Sequence, residues 1–355
     1  MTVKASPSLR SPGSEPIGSE VYLEAYAPGL GMPLFITPVR ADLGSDPEAA
    51  IAWLRERQET IDELLCDVGA VVLRGFAFAN TDVFSRAVEH YPELPYGYIG
   101  GATPRAPIHG RAYEATRVPP EFKLQFHQEM AYLPHFPSKL AFYCNLAPDT
   151  GGETLIADVR RFDEGLPRAF RDEVKRRGVR YVRNFRAPNW SCGDAELDAG
   201  HLIWNDVFAT THRATAEASC RAMGLDCRWA PNGSLSVGYT ASGFSTHPRT
   251  GREIWFNHIL SQSPNPWTDS PSQMERIAAF QHLYSAEAPP PYATTFGDGG
   301  AIAIEPLKPM YELAESIAVA FSWQAGDLML LDNFYVFHGR NSYTGQRDVQ
   351  VALLG

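Results

Sequence analysis

The pair His127 and Glu129, in the segment FHQEM (126–130), is the first motif that could carry chemistry. In an extended strand, side chains two positions apart project to the same side, so the imidazole and the carboxylate would face one space. An imidazole nitrogen and a carboxylate oxygen are both suitable ligands for a divalent transition metal. Because a His-x-Glu triplet often arises by chance, a metal site needs a third ligand from elsewhere in the chain.

The third candidate ligand is His338, which ends the segment GDLMLLDNFYVFH (326–338) and precedes Gly339. An apolar strand and a turn lead to this histidine. Two histidines and one carboxylate on one face of an octahedral iron(II) leave three positions free for a co-substrate and oxygen. The sequence therefore predicts that His127, Glu129 and His338 form an open site for one metal ion.

Arg347 and Thr154 are candidate anchors for a carboxylate ligand. Arg347 lies in GQRDVQVALL, on a predicted strand beside that of His338, where a guanidinium can bind a carboxylate through two hydrogen bonds. Thr154, in PDTGGETLIAD (148–158), would add a hydroxyl donor. Taken singly, Arg347 also fits a surface ion pair and Thr154 an ordinary strand threonine. Their occurrence together with the metal motif, in a β-rich chain, favours a carboxylate site.

Short strands must position these side chains. Beyond about residue 120, β-rich runs alternate with turn sequences such as APDTGG, APNG, HPRTG and QAGD. The predicted strands cover residues 140–146, 153–157, 179–185, 234–239, 252–257, 327–331 and 348–354. Short strands with Gly and Pro at their ends indicate a sandwich or barrel rather than a parallel βαβ sheet. Opposite strands of such a rolled sheet meet around its axis, which would bring the distant ligands together.

Helices are predicted before and between these strands, so the fold class is mainly β with flanking helices (α+β). Apolar residues recur at helical spacing from Asp46 to Val68, and Gly69 follows as a stop. A buried strand is predicted over 69–76, and Thr81 or Asp82 would cap the next helix. Further helices are predicted near 269–286 and 310–321.

The domain organisation follows from composition. Residues 1–20 are rich in Ser, Pro and Gly, which predicts a disordered segment, and 21–355 are predicted to form a single domain. Within it, 159–233 is expected to hold a lid or insertion. The irregular segment WSCGDAELDAGHLIW (190–204) is the expected substrate lid.

Composition limits the classes of partner. Lys and Arg number 31 against 41 Asp and Glu, a net charge of −10, so a basic surface for nucleic acid or an anionic membrane is not expected. The five cysteines show no C-x-x-C pair, which argues against a disulfide framework or a thiolate zinc site. With no apolar leader and no apolar run long enough to cross a bilayer, a cytoplasmic protein is expected.

Four segments together resemble the TauD/TfdA family, closest to its SyrP-like and clavaminate-synthase-like branch. They are LQFHQEMAY, CNLAPDTGGETLIAD, HPRTGREIWFNH and WQAGDLMLLDNFYVFHGR, and the likeness covers about residues 60–355. The resemblance implies a double-stranded β-helix (jelly-roll) core. It also implies iron(II) on His127, Glu129 and His338, with Thr154 and Arg347 holding the distal carboxylate of 2-oxoglutarate.

The arginine spacing departs from that of taurine-dioxygenase-type members, which place this arginine further from the distal histidine and add a second one. Here Val351 stands where the second arginine would fall, which puts an anion contact to the substrate in doubt. Arg340 is the competing anchor, but it lies only two residues after His338 and could pair with Asp332 or the loop. We favour Arg347.

Three residues are candidates for substrate contact. Gln125 precedes His127 by two positions and would point into the same cavity, or bond neighbouring backbone instead. Arg105 lies in the segment GGATPR, which the SyrP-like branch shares, and could meet an anionic group or form a structural ion pair. Asn257 follows the strand near WFN and would shape the pocket wall.

The expected function is that of a non-haem iron(II)/2-oxoglutarate-dependent oxygenase that uses O2. By analogy with the branch, it would hydroxylate, or otherwise oxidise at C–H, an amino-acid-derived small molecule, free or tethered to a carrier protein, in specialised metabolism. The intact Glu129 disfavours halogenation, which uses a small residue at that position. Alternatives are a zinc-dependent hydrolase or cupin-type isomerase, which would leave Arg347 and Thr154 without a role, and a non-catalytic jelly-roll binding module.

Overall fold

Short strands outnumber helices in the part of the chain that the structure describes. A computed structural model describes residues 19–27, 29–95, 97, 106–116, 118–191, 198, 200–267, 273–279, 281–285 and 288–355. The strands are β1 Val21–Ala25, β2 Leu34–Pro38, β3 Ala70–Leu73, β4 Pro107–His109, β5 Ala112–Glu114, β6 Leu124–His127, β7 Lys139–Leu146, β8 Thr150–Gly151, β9 Thr154–Asp158, β10 Val179–Phe185, β11 Asp226–Trp229, β12 Leu235–Ala241, β13 Phe244–Thr246, β14 Glu253–Trp255, β15 Tyr292–Phe296, β16 Val319–Phe321, β17 Leu328–Asp332, β18 Val336–Arg340, β19 Tyr343–Thr344 and β20 Asp348–Leu354.

Two sheets form the centre of the molecule. The larger has eight strands in the order β1-β2-β3-β17-β7-β20-β5-β4, and the smaller has four in the order β16-β9-β18-β6. The sheets face each other: the ring of Phe142 on β7 lies 5.5 Å from that of His338 on β18. The predicted jelly-roll core is therefore confirmed, and the smaller sheet carries both candidate histidine ligands.

The central strands of the larger sheet, such as β3 and β17, are buried on both faces, which explains their continuous apolar sequences. Along β17, Met329 and Leu331 belong to the core between the two sheets. Leu328 and Leu330 alternate with them and pack in a second apolar cluster with the N-terminal helices. This arrangement makes the sheet a rigid support for the site on its inner face.

Helices cover the sheets from outside. In the described residues they span Pro47–Glu56, Gln58–Val68, Thr81–Ala87, Val159–Gly165, Arg168–Arg177, Trp204–Val207, Arg213–Ala222, Gln273–Ala279 and Lys308–Ser316. None of the helices that the structure describes is long and apolar enough to cross a membrane.

Three helix predictions need correction. The helix expected from Asp46 to Val68 is two helices, separated where Arg57 leaves helical geometry (φ −98°, ψ 9°). The next helix is capped by Asn80, whose side chain accepts a hydrogen bond from Val83 N. The helix expected over 310–321 ends at Ser316, because residues 319–321 form an edge strand paired with β9.

The stretch 159–233, where a lid or insertion is expected, contains regular elements. It includes helices, β11 and β10, and β10 pairs with β12 and β15 in a further four-stranded sheet. Residues 192–197 and 199, in the expected lid, lie outside the described residues, as do residues 1–18 of the expected disordered segment.

Candidate functional site

The side chains of His127, Glu129 and His338 meet inside the jelly roll. Glu129 Oε2 lies 3.9 Å from His127 Nε2 and 3.6 Å from His338 Nε2. One ligand atom from each residue lies within 4.8 Å of those of the other two. All three residues are more than nine-tenths buried. Metal–nitrogen and metal–oxygen bonds are about 2.0–2.2 Å long, so a small inward movement of these atoms would place one ion between them.

Strand pairing brings the two histidines together. His338 on β18 lies directly opposite His127 on β6, and β18 pairs on its other side with β9. Cross-strand partners point to the same face, so both imidazoles project towards the larger sheet. Glu129 is two residues beyond the end of β6, where the chain turns.

The protonation of His127 suits a metal ligand. Its Nδ1–H donates to the carbonyl oxygen of Gln125 at 2.9 Å, which leaves the lone pair of Nε2 facing Glu129. Burial, reinforced by the neighbouring His338, lowers the pKa of His127 well below its usual value. The ring is therefore neutral at neutral pH, which is the form that binds metals.

Two further residues hold the turn that carries Glu129. His258 Nε2 donates to the carbonyl oxygen of Gln128 at 2.6 Å, and burial lowers the pKa of His258 to about 4. Asn333 contacts the backbone of Glu129 on both sides. Neither residue is predicted from the sequence to support the candidate metal site. The available signal was polar residues inside two apolar motifs, WFNH and LLDNF.

Thr154, on β9, is 3% exposed and lies in the same sheet as the histidines. Its Oγ1 accepts a hydrogen bond from Trp323 Nε1 at 3.1 Å. Because the hydroxyl is used as an acceptor there, its own O–H remains available to donate to a ligand. Trp323 was not predicted, and it fixes the position of that hydroxyl.

Arg347 and Arg340 differ in how their guanidinium groups are used. Arg347 Nε donates to the carbonyl oxygen of Gly152, two residues before Thr154, at 3.1 Å. Burial and the nearby Arg340 lower the pKa of Arg347 to about 10, and no carboxylate of the described residues forms an ion pair with it. Its terminal nitrogens are therefore available for an anion.

By contrast, the guanidinium of Arg340 is used within the protein. Its terminal nitrogens donate to the carbonyl oxygens of Val118, Pro119 and Phe122 at 2.7–3.0 Å. Of the two structural partners expected for Arg340, the loop and Asp332, the side chain therefore binds the loop. Asp332 pairs instead with His247.

The three candidate substrate residues differ in their surroundings. Gln125 is 6% exposed, shares the strand face of His127, and has no hydrogen-bond partner for its amide nitrogen in the described structure. Asn257 is 2% exposed, donates to Gly243 O and accepts from Ile259 N. These two bonds use the Oδ1 and one N–H of the amide, so the role of Asn257 in the pocket wall stays a prediction. Arg105 lies outside the described residues.

A second cluster, formed by Cys66, His247 and Asp332, has the residue types of a metal site. However, His247 Nδ1 accepts hydrogen bonds from the backbone N–H groups of Arg249 and Thr250, each at 3.2 Å. The ring proton must then lie on Nε2, which donates to Asp332 Oδ2 at 2.8 Å. With both nitrogens engaged, His247 offers no lone pair to a metal, and the cluster ties two loops together.

Comparisons with known proteins show the family to which the chain is similar. Residues 34–353 match the family described as "Taurine catabolism dioxygenase TauD, TfdA family". A clavaminate synthase-like protein of Arabidopsis thaliana is 30% identical over 333 residues, covering 92% of this chain and 89% of the relative. The dapdiamide synthesis protein DdaC of Enterobacter agglomerans is 30% identical over 295 residues, covering 83% of this chain and 84% of the relative.

One solved structure supports the fold alone. AAD-2, in complex with Mn(II) and N-oxalylglycine, aligns with a TM-score of 0.50 at 11% identity and covers 94% of this chain and 96% of its own. The family match spans nearly the whole described core, and both relatives are similar along most of their length. The chain therefore belongs to the TauD/TfdA family and is an iron(II)/2-oxoglutarate-dependent dioxygenase.

Proposed function

We propose that His127, Glu129 and His338 hold the iron(II) of this dioxygenase. The observation that carries the proposal is the convergence of one carboxylate oxygen and two imidazole nitrogens in a buried space. Bound iron(II) would supply the activation of O2, coupled to oxidative decarboxylation of 2-oxoglutarate. The protein's residues orient the ligands, and apolar side chains such as Phe142 and Ile156 exclude water around them.

Thr154 and Arg347 would anchor the distal carboxylate of 2-oxoglutarate. Arg347 is bonded to Gly152 on the segment leading into β9, so it lies near the strand that carries Thr154. A hydroxyl donor and a guanidinium suit one carboxylate. Burial of Arg347 strengthens its attraction for an anion, because fewer waters compete for its N–H groups.

The substrate would be an amino-acid-derived small molecule, free or carrier-tethered, in specialised metabolism. Support comes from the similarity to a relative named for dapdiamide synthesis and to a clavaminate synthase-like protein. Gln125 would donate its amide N–H to an oxygen of that substrate, since the group is buried beside His127. Hydroxylation is the simplest outcome at a C–H bond held near the metal.

The test is an anaerobic titration of the purified protein with iron(II) and 2-oxoglutarate, followed by visible absorption. Chelation of 2-oxoglutarate to iron(II) produces a weak charge-transfer band. We expect the band in the wild-type protein and its loss in His127→Ala. His109→Ala is the matched control, because His109 is exposed and paired with Asp82 far from the site.

Absence of the band in folded, iron-loaded protein would reject 2-oxoglutarate chelation by this site. Activity with zinc and without 2-oxoglutarate would then favour a hydrolase or isomerase. Retention of the band in His127→Ala would show that the metal is held by other residues.

A further inference from the structure

Asn333 is a fully buried amide in the turn between β17 and β18, five residues before His338. Its Oδ1 accepts a hydrogen bond from Glu129 N at 2.7 Å. Its Nδ2 donates to Glu129 O at 3.0 Å and to Pro137 O at 2.8 Å. One side chain therefore bonds both backbone groups of the carboxylate ligand and links them to the segment before β7.

Regular structure does not hold Glu129 in place. Strand β6 ends at His127, and Met130 adopts a left-handed conformation with φ 59°. The carboxylate ligand thus lies on an irregular turn, where backbone groups need partners from elsewhere. Asn333 supplies these partners for Glu129, while the carbonyl of Gln128 is bonded by His258.

The strand bearing His338 begins three residues after Asn333, at Val336. Asn333 therefore connects Glu129, through hydrogen bonds, to a position only three residues before the strand that carries His338. Tyr335 and Phe334 N–H groups are bonded to Asp332 Oδ1, which fixes the turn on which Asn333 lies. The distance between Glu129 and His338 is thus set locally by this turn.

We propose that Asn333 is a positioning residue, which fixes the Glu129 carboxylate for metal binding through two hydrogen bonds to the Glu129 backbone. The inference rests on the proposed metal site and deepens it. Asn333 touches neither metal nor substrate and acts only through Glu129. A purely structural amide would affect folding but would not change metal affinity through that one ligand.

The experiment measures binding of Mn(II) by the loss of the free-ion EPR signal, which requires no turnover. In Asn333→Asp, an oxygen can still accept from Glu129 N but nothing donates to Glu129 O or Pro137 O. We expect the Kd for Mn(II) to rise about 10- to 100-fold. Asn184→Asp is the matched control, since that buried amide also donates to one backbone oxygen and accepts one hydrogen bond, and its Kd should change less than about 3-fold.

A double-mutant comparison separates positioning from general damage. In a Glu129→Ala background, Asn333→Asp should no longer change the Kd, because the residue it positions is gone. An equal loss of affinity with and without Glu129 would overturn the proposal, as would equal losses in the Asn333 and Asn184 variants. Failure of wild-type protein to bind Mn(II) would instead reject the metal site itself.

If Asn333→Asp does not fold, Asn333→Ala provides the same comparison, since it removes both hydrogen bonds to the Glu129 backbone without adding a charge. Hydrogen exchange of the wild-type, metal-free protein supplies an independent measurement. The Glu129 amide should be protected before metal is added. A freely exchanging amide would contradict a preformed contact with Asn333.

Discussion

His127 and His338 lie directly opposite each other on neighbouring antiparallel strands, with their ring centroids 4.2 Å apart. The spacing of the two proposed metal ligands is thus set by strand register. A shift of one residue would turn one imidazole to the opposite face of the sheet. The register changes immediately beyond this pair, where Arg340 lies opposite Leu124.

Gly339 allows this close pairing. A Cβ added at Gly339 would lie 2.5 Å from the carbonyl oxygen of Leu124, so one of the two strands would have to move. We expect Gly339→Ala to lower the free energy of unfolding by about 1–3 kcal/mol and to weaken metal binding. Urea unfolding and Mn(II) titration test this, with Gly29→Ala as control, where an added Cβ meets no atom within 4 Å. Unchanged metal affinity in Gly339→Ala would contradict the argument.

Substitutions of Arg347 and Arg340 should change different properties, co-substrate binding in the first case and stability in the second. Arg347→Lys should raise the KM for 2-oxoglutarate about 10- to 100-fold with little change in Tm, because a lysine cannot bind a carboxylate in the same two-point manner. Arg340→Lys should lower stability by about 1–3 kcal/mol, because the bonds to three loop carbonyls are lost. Succinate formation and thermal unfolding measure the two effects. The reverse pattern would identify Arg340 as the anchor.

Trp323 should act on 2-oxoglutarate through Thr154. Trp323→Phe keeps an aromatic ring beside Phe321 but removes the N–H that bonds Thr154 Oγ1. We expect a several-fold weaker affinity for 2-oxoglutarate, since one hydrogen bond contributes about 1 kcal/mol. The charge-transfer titration measures this affinity. If Thr154→Val abolishes the effect of Trp323→Phe, the tryptophan acts through the hydroxyl; additive losses would show that it does not.

The Gln125 side chain should lower the free energy of unfolding, because its buried amide serves the substrate rather than the fold. Its amide nitrogen is buried without a partner in the described structure, so Gln125→Met should raise the free energy of unfolding by about 1 kcal/mol. Uncoupled succinate formation should stay unchanged, since Thr154 and Arg347 are the residues proposed to bind the co-substrate. Gln350→Met is the control and should destabilise, because the Gln350 amide bonds Thr81 and Asp348. A destabilised Gln125→Met protein would mean that the amide is structural.

Acid should lower the free energy of unfolding of the metal-free protein, partly through protonation of His90 in the unfolded chain. Burial, followed by Arg55, lowers the pKa of His90 from 6.5 to about 4. Between these values the unfolded chain binds more protons than the native protein, so stability is complete above about pH 6.5 and falls towards pH 4. We expect a contribution of about 1–2 kcal/mol for a partly buried ring. Urea unfolding of His90→Phe at several pH values should show a shallower dependence, and an unchanged slope would contradict it.

Much of the fold and of the proposed site could be predicted from the chain. Strand-forming runs are local patterns, and the predicted runs 179–185 and 348–354 coincide with β10 and β20. The expected ligand set relied on residue types and on the side-chain period of two, which was applied to His127 and Glu129. That reason was wrong for Glu129, because β6 ends at His127 and a turn brings the carboxylate to the imidazole. The resemblance of four segments to a known family then supported the order of the motifs and predicted the jelly-roll fold.

Tertiary structure decided what supports the site. Asn333, Trp323 and His258 contact residues that are distant in sequence, and a buried amide or indole N–H leaves no periodic pattern. The choice between Arg340 and Arg347 likewise required knowing that the carbonyls of the loop 118–122 already bind Arg340. Residue types and spacing determined which groups could bind metal and co-substrate. Only the packing of distant segments decided which polar groups are bonded within the protein and which remain available to a ligand. The reason is that hydrogen-bond partners across a core depend on the whole fold.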